Sequence, residues 1–443
     1  MARTEALSGS ARPLPAELPF VEIFDARNDP LAFLERTSRR YGDVFSYRLE
    51  GWAVVVVNDP ALAREALQAD GEALTKEGTP DLMMLRPMLG QGLMTNEGRA
   101  WSLSRSASQP AFTADKVRGY RPRMLALVDA MLDGWADTAA PTLDLEREFN
   151  RLTLRVVGDC LFSTDLSPEM SDLGRSVETM NRCVAHFDPA DHAMHRRFVQ
   201  AHADMHALIQ SIVDTGGGTD DLLAALRRRC AANPTGDPAH MLRDEIVTFL
   251  MAGHETTAKA LSWAMHLLAQ HPEVEAAVRA EARKAFAAGA GTGTACDTVD
   301  RLAYTWQVVQ EAMRLYPPVW LMSRRTRCDM VLGDFTLPEG ALLLVSPYLL
   351  HRHPAHWQAP LDFDPARFSP TAASRSAGAY MPFGAGHRVC IGRLFAAAET
   401  TLALARVVER FECRHSGSAT VEAEALVTLR PRGGLPMRVR PWP

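Results

Sequence analysis

One stretch limits what this chain can fold into more tightly than any other: Phe383-Gly384-Ala385-Gly386-His387-Arg388-Val389-Cys390-Ile391-Gly392. Gly384 and Gly386 allow backbone angles closed to other residues and let the chain lie close against a flat object. The alanine-rich segment that follows, Leu394 to Val407, reads as a helix, so Cys390 stands where loop gives way to helix. Free amides at a helix N-terminus stabilise a thiolate there. A lone thiolate held this way suits an iron porphyrin as its proximal ligand, and Arg388 is placed to meet a propionate of such a group. The plainer alternative is a buried structural cysteine after a glycine turn. The order of the whole stretch favours the ligand.

The remaining chain fixes the setting. With 443 residues, 47% hydrophobic and 23% charged, it has enough apolar material for a large core. A net charge of -5 argues against nucleic acid as a general partner. Seven cysteines (160, 183, 230, 296, 328, 390, 413) show no CxxC spacing, which points to a reducing compartment and away from a zinc site. No apolar run reaches the ~18 residues of a membrane span, so neither signal peptide nor anchor is expected. Residues 1–20, charged and proline-containing, read as a flexible segment ahead of one domain over 21–443.

Asp29-Pro30 and Asp59-Pro60 each combine a capping side chain with proline at the first helical position, which predicts helices ending near Tyr41 and Leu67. Between them, 44–47 and 53–57 read as strands about a turn at Glu50-Gly51. Residues 72–96 show no clear period; Met83, Met84, Leu85 and Met88 read either as core filler or as adaptable contacts for an apolar ligand. Trp101 and Arg105 share a helix face. From Asp115 to about Arg229 the pattern is helical, with breaks near Pro141, Asp188-Pro189 and Gly216–Gly218. His186, His192, His195, His202 and His206 fall within it, and His202 and His206 are spaced to chelate. With no acidic third ligand in register, a solvated helix face is the expectation.

After a polar loop at 233–238, a long helix is predicted over about 240–270, with Ala252-Gly253-His254-Glu255-Thr256-Thr257 at its centre. Glycine and two threonines weaken a helix interior, and a local rule broken there marks a functional site. The Thr256 hydroxyl can bond the Ala252 carbonyl one turn back, bending the helix and leaving room for dioxygen and water. Gly253 by itself is equally explained by close helix packing. A glycine-threonine linker follows at 289–294. Glu311 and Arg314 then share a face of a helix ending at Pro317-Pro318. Strands are predicted at 330–332 and 341–345, and a closing hairpin at 428–436.

The Phe-x-x-Gly-x-Arg-x-Cys-x-Gly pattern resembles the haem-binding loop of the cytochromes P450 at every fixed position. Further segments, in that family's order, extend the resemblance over about 100–395. Trp101-x-x-x-Arg105 resembles the helix that meets the haem propionates, and Ala252 to Thr257 the oxygen-activation motif, with Glu255 and Thr256 as its acid and alcohol. Glu311-x-x-Arg314 resembles the structural pair completed by Arg367, although Ala366 stands where the family usually has glutamate. Arg324 aligns with a propionate-binding arginine, with Arg325 beside it as the other candidate.

The resemblance implies a mainly α fold with small β-sheets, haem b held through Cys390, and Phe383, Gly384, Arg388 and Gly392 as the rest of the loop. It implies substrate contacts from Met83, Met84, Met88, Val319, Trp320, Leu321 and Leu426 (or Val427). The expected activity is insertion of one oxygen atom of O2 into a C–H or double bond of a lipophilic terpenoid, fatty-acyl or polyketide molecule. A peroxygenase or coupling enzyme, or a non-catalytic haem carrier, are the alternatives; the intact Glu255-Thr256 pair disfavours both. With no flavin or ferredoxin module after the haem segment, a ferredoxin or flavodoxin with its reductase is expected, docking on a basic face made by Arg388, Arg393, Lys116, Arg118, Arg121 and Arg123. A cytoplasmic monomer without a membrane anchor completes the expectation.

Overall fold

The computed structural model describes residues 14, 17–19, 29–49, 51–69, 71, 73–137, 142–166, 170–185, 191–232, 237–289, 297–373, 375–417 and 420–442. Most of the 1–20 segment, the breaks at Pro141 and Asp188-Pro189, His186, Cys296 and nearly all of the 289–294 linker lie outside these residues. Mainly α-helical with small sheets, the chain runs α1 (Pro30–Tyr41), β1 (Val44–Leu49), β2 (Trp52–Val57), α2 (Pro60–Gln68), β3 (Leu74–Thr75) and α3 (Pro80–Leu89). Next come α4 (Gly98–Ser108), α5 (Ala114–Asp137), β4 (Thr142–Asp144), α6 (Leu145–Phe162), α7 (Met170–Ala185), α8 (His192–Thr215) and α9 (Leu222–Ala231). The long α10 (Pro238–Gln270) leads to α11 (Pro272–Gly289), α12 (Ala303–Leu315), β5 (Met322–Thr326), β6 (Met330–Leu332), β7 (Phe335–Leu337), β8 (Leu342–Val345) and α13 (Pro347–Leu350). The chain closes with α14 (Arg393–Arg410), β9 (Phe411–His415), β10 (Ala423–Ala425), β11 (Leu429–Pro431) and β12 (Pro436–Pro441).

Two compact units divide the chain, each drawn from three separate stretches: Met1–Met83, Trp320–Pro360 and Ser374–Val389 in one, Met84–Val319, Leu361–Ala373 and Cys390–Pro443 in the other. The first is built on a five-stranded sheet in the order β1-β2-β8-β5-β3. Its centre follows from sequence: Val54 to Val57 are fully buried, with β1 antiparallel on one side and β8 parallel on the other. Gly51, at φ 85°, makes the β1–β2 turn, a conformation that β-branched or bulky residues avoid. Asp59 caps α2 by accepting from the Leu62 amide at 2.8 Å, and Asp29 caps α1 through the Ala32 amide at 3.0 Å. Strand β5, Met-Ser-Arg-Arg-Thr, has no apolar alternation and gives no strand signal of its own; pairing with β8 makes it one.

The second unit is helical around α10, whose residues Ala258 to Leu268 are buried on all sides, as a helix enclosed by others must be. Asp237 caps its start through the Ala239 amide at 2.9 Å, and Pro238 follows. Its three-stranded sheet has the order β4-β12-β9, and β10 pairs with β11.

Two expectations are corrected here. Residues 80–89, aperiodic in sequence, form α3 with Pro87 inside it, because Pro80 supplies a fixed first-turn φ that the local composition hides. The 428–436 segment does turn at Gly433-Gly434, but its flanking strands do not pair: β11 joins β10, and β12 joins β4 and β9. Asp144 decides this by accepting the Leu435 amide at 2.8 Å, which draws the chain onto β4. Among the described residues, no helix is long and apolar enough to cross a membrane, and all six cysteines are free.

Candidate functional site

Cys390 opens the last stretch of the second unit, two residues before Gly392 caps α14. Its side chain is accessible, yet protein around it desolvates the thiol and raises its pKa. Against that rise work the Gly392 amide, bonded to the sulfur, and the cations Arg105 and Arg393. Arg105 in turn is desolvated, which lowers its own pKa, while the sulfur's charge raises it. Trp101 lies one turn earlier on α4, half-buried like Arg105. Beneath the cysteine an aromatic cluster joins three helices and the turn after α4. Phe112 stacks on Phe249 with centroids 5.7 Å apart and meets Phe395 at 6.2 Å, while Tyr120 meets Phe395 at 5.8 Å.

Within α10, the Thr256 hydroxyl donates to the Ala252 carbonyl at 2.8 Å and Thr257 to Gly253 at 2.9 Å. The helix continues unbroken through them. A Cβ on Gly253 would come within 2.7 Å of Val157 Cγ2, so this glycine serves the packing of α10 on α6. His254 is buried with Nδ1 on the Leu250 carbonyl at 2.7 Å, and desolvation lowers its pKa, keeping it neutral. Glu255 is buried as well, accepting from Asn181 Nδ2 at 2.9 Å and from Thr428 Oγ1 at 2.8 Å.

A further carboxylate on α10, missed in the sequence reading, sets where α4 lies. Glu245 is fully buried and accepts from Ser104 Oγ, from the Leu93 amide at 3.0 Å and from Arg229 at 2.9 Å. Desolvation still raises its pKa. Ser104 adjoins Arg105, so this cluster fixes the turn of α4 that carries the arginine. An acidic residue amid the apolar run Glu245-Ile246-Val247-Thr248-Phe249 was the available signal.

The first unit carries the other loop residues. Gly386, at φ 70°, approaches the chain so closely that a Cβ would sit 2.1 Å from the Leu67 carbonyl oxygen. Gly384 has φ 71°, and Phe383 and Arg388 are half-buried. Of the two arginines on β5, Arg325 lies over the Trp52 ring at 4.9 Å and bonds the Gly340 carbonyl at 3.3 Å. Arg324 bonds its neighbour's carbonyl, Ser323 O, at 2.8 Å. Among the expected substrate contacts, Met83 and Val319 are exposed, and Met84, Trp320, Leu321 and Leu426 half-buried. Met88 is fully buried.

Glu311, Arg314 and Arg367 meet in the second unit. Arg314 Nε and Nη2 each lie 2.7 Å from a Glu311 oxygen, both residues fully buried, and Arg367 Nε reaches Glu311 at 3.2 Å. The Arg314 fork also holds the Asp362 carbonyl at 2.9 Å. One surface expectation changes, that of the histidines. Lys116 pairs with Asp220, Arg118 and Arg121 both with Asp300, and Arg123 with Asp159, so three carboxylates distant in sequence face these four cations. His202 and His206, with ring centroids 3.9 Å apart, are half-buried rather than solvated, and burial lowers both pKa values, His206 to about 4. Among the described residues no group of His, Cys, Asp and Glu is placed to hold a metal ion.

The second unit thus holds an accessible, amide-bonded cysteine beside cations, and a buried helix that carries an acid and a hydroxyl at its middle. The sequence profile of the cytochrome P450 family matches residues 10–435. Cyclooctatin synthase of Streptomyces melanosporofaciens is 33% identical over 436 residues, covering 94% of this chain and 91% of its own. Cyclooctat-9-en-7-ol 5-monooxygenase of the same organism is 33% identical over 403 residues, 87% of this chain and 85% of its own. Pentalenene oxygenase of Streptomyces avermitilis is 30% identical over 433 residues, 94% of each chain. The chain belongs to the cytochrome P450 family, and it is accordingly a monooxygenase whose cofactor is haem. The residues present fit that group: an accessible sulfur with an amide donor, and flanking cations able to favour its anion.

Proposed function

We propose that this protein binds haem b through Cys390 and inserts one oxygen atom of O2 into a C–H or double bond of a lipophilic terpenoid. The observation that carries the reading is the state of Cys390, an accessible sulfur given an amide by Gly392 and positive potential by Arg105 and Arg393. The bound haem supplies oxygen binding and activation, with a thiolate ligand favouring O–O cleavage. The iron's positive charge would reverse the rise that burial imposes on the thiol.

The chain's own residues do the rest. Trp101, Arg105, Arg324 and Arg388 are assigned to the propionates, with Arg325 as the other candidate beside Arg324. Phe383, Gly384 and Gly392 shape the loop, and Ala252 keeps the helix surface small. Glu255 passes protons inward and the Thr256 hydroxyl holds the last water in line. Met84, Met88, Val319, Trp320, Leu321 and Leu426, with Met83 at the surface, are assigned to the substrate.

The substrate class rests on the designations of the relatives, two of which name an oxygenase or monooxygenase acting on pentalenene or cyclooctat-9-en-7-ol. A ferredoxin or flavodoxin with its reductase is the proposed electron source, and the protein is proposed to act as a monomer. Exposed Arg393, with Lys116, Arg118, Arg121 and Arg123, is the candidate donor contact on the second unit.

Carbon monoxide added to the reduced holoprotein tests the ligand. The strongly red-displaced absorption of thiolate ligation is expected, and its persistence in Cys390→Ser would reject the assignment. Turnover of terpenoid alkenes with NAD(P)H, ferredoxin and reductase tests the activity; product formed with hydrogen peroxide alone would favour a peroxygenase instead.

A further inference from the structure

We propose that Asn181 and Thr428 are positioning residues for Glu255, holding its side chain in one place whether or not it carries a proton; this rests on the reading of Glu255 as a proton-transfer group. The three side chains come from α7, from the residue before β11 and from the middle of α10, and all are buried. Asn181 Nδ2 donates to Oε2 at 2.9 Å and Thr428 Oγ1 to Oε1 at 2.8 Å. One donor on each oxygen fixes both the position and the plane of the carboxylate.

The chemistry of the two partners is what distinguishes this clamp from an ion pair. An arginine or lysine only donates, so once the carboxylate took up a proton it would lose the charge attraction and could not accept from the new O–H. An amide and a hydroxyl both donate and accept. The Asn181 carbonyl oxygen Oδ1 is buried and has no hydrogen-bond partner among the described residues, an expensive arrangement for a polar atom. Rotation of the amide would bring that oxygen against Glu255 Oε2, where it accepts from the protonated carboxyl. With the proton on Oε1 instead, the Thr428 hydroxyl turns over and accepts, while Asn181 goes on donating to Oε2. Glu255 thus keeps its place through a cycle of proton uptake and release.

The surrounding charges are committed elsewhere. Lys259, one turn after Glu255 on α10, pairs with Glu146 at 2.5 Å, and His254 is bonded to the Leu250 carbonyl. Arg430, two residues beyond Thr428, pairs with Glu424 at 2.9 Å and reaches Glu178 on α7 at 3.8 Å. Glu178 is three residues from Asn181, so a second tie keeps the two arms of the clamp in register.

Infrared titration of the holoenzyme provides the test, with Glu255→Gln identifying the carboxyl band. Thr428→Val and Asn181→Leu remove donors to the anion, so the Glu255 midpoint is expected to rise by about one pH unit or more. Thr428→Ser, which keeps the hydroxyl, should return it to within a few tenths. Asn181→Asp sets a second carboxylate against the first and should raise the midpoint as well, which keeps the test decisive if a larger change does not fold; an unaltered carbon monoxide spectrum checks folding in each variant. Product formed per NAD(P)H should fall severalfold in the Val and Leu variants. Midpoints equal to the wild type in Thr428→Val and Asn181→Asp would overturn the proposal. A moved midpoint with full product yield would uphold the clamp and refute the proton-transfer role of Glu255.

Discussion

Burial raises the pKa of the Cys390 thiol while the Arg105 cation lowers it, so the protein alone holds this sulfur between two opposed effects. Replacing Arg105 with leucine removes one of the lowering charges. Alkylation of Cys390 in the haem-free protein should then move to higher pH, by on the order of one unit. An unmoved midpoint would mean the guanidinium does not act on the sulfur. The same scale governs Thr256, whose hydroxyl bonds the Ala252 carbonyl within an unbroken helix. Thr256→Ala should fold normally, consume NAD(P)H, and divert much of it to peroxide; product yield equal to the wild type would reject its role in holding water.

Two elements show how packing constrains the site from outside it. On α10, Gly253 lies against Val157 of α6, and an added methyl would approach to 2.7 Å. Overpacking costs about 1–3 kcal/mol, against the roughly 1 kcal/mol that alanine gains over glycine in a helix. Gly253→Ala should therefore be neutral to about 2 kcal/mol less stable, and adding Val157→Ala should recover part of that loss in chemical denaturation. On α12, Arg314 and Glu311 are fully buried around each other. Arg314→Met leaves the buried carboxylate with Arg367 as its remaining cation, and should cost about 3 kcal/mol and lower expression, although neither residue touches the reaction.

Across the whole molecule, acid is where stability should fail first. His266 of α10 lies 3.2 Å from His415 of β9, and burial lowers both pKa values, His266 to about 4. Each is neutral in the fold and titrates near 6.5 when unfolded, so the unfolded chain binds more protons between those values. Their contribution is therefore complete above pH ~6.5 and lost as pH falls toward 4, by at most about 3 kcal/mol for His266. Thermal unfolding from pH 8 to 5 should show the decline, and His266→Asn should flatten it.

What sequence determined were local matters: the Asp-Pro caps of α1 and α2, the valine run of β2, the glycine loop before Cys390 and the hydroxyl-to-carbonyl bond in α10. Each is written within a few residues and follows from backbone sterics and hydrogen-bond reach. Tertiary structure alone decided what depends on partners far along the chain. Strand β5 has no strand pattern until β8 pairs with it. The basic run 116–123 is paired with Asp159, Asp220 and Asp300, and Glu255 meets Asn181 and Thr428, 74 and 173 residues away. Electrostatic and hydrogen-bond partners act across space, where spacing in the sequence leaves no trace.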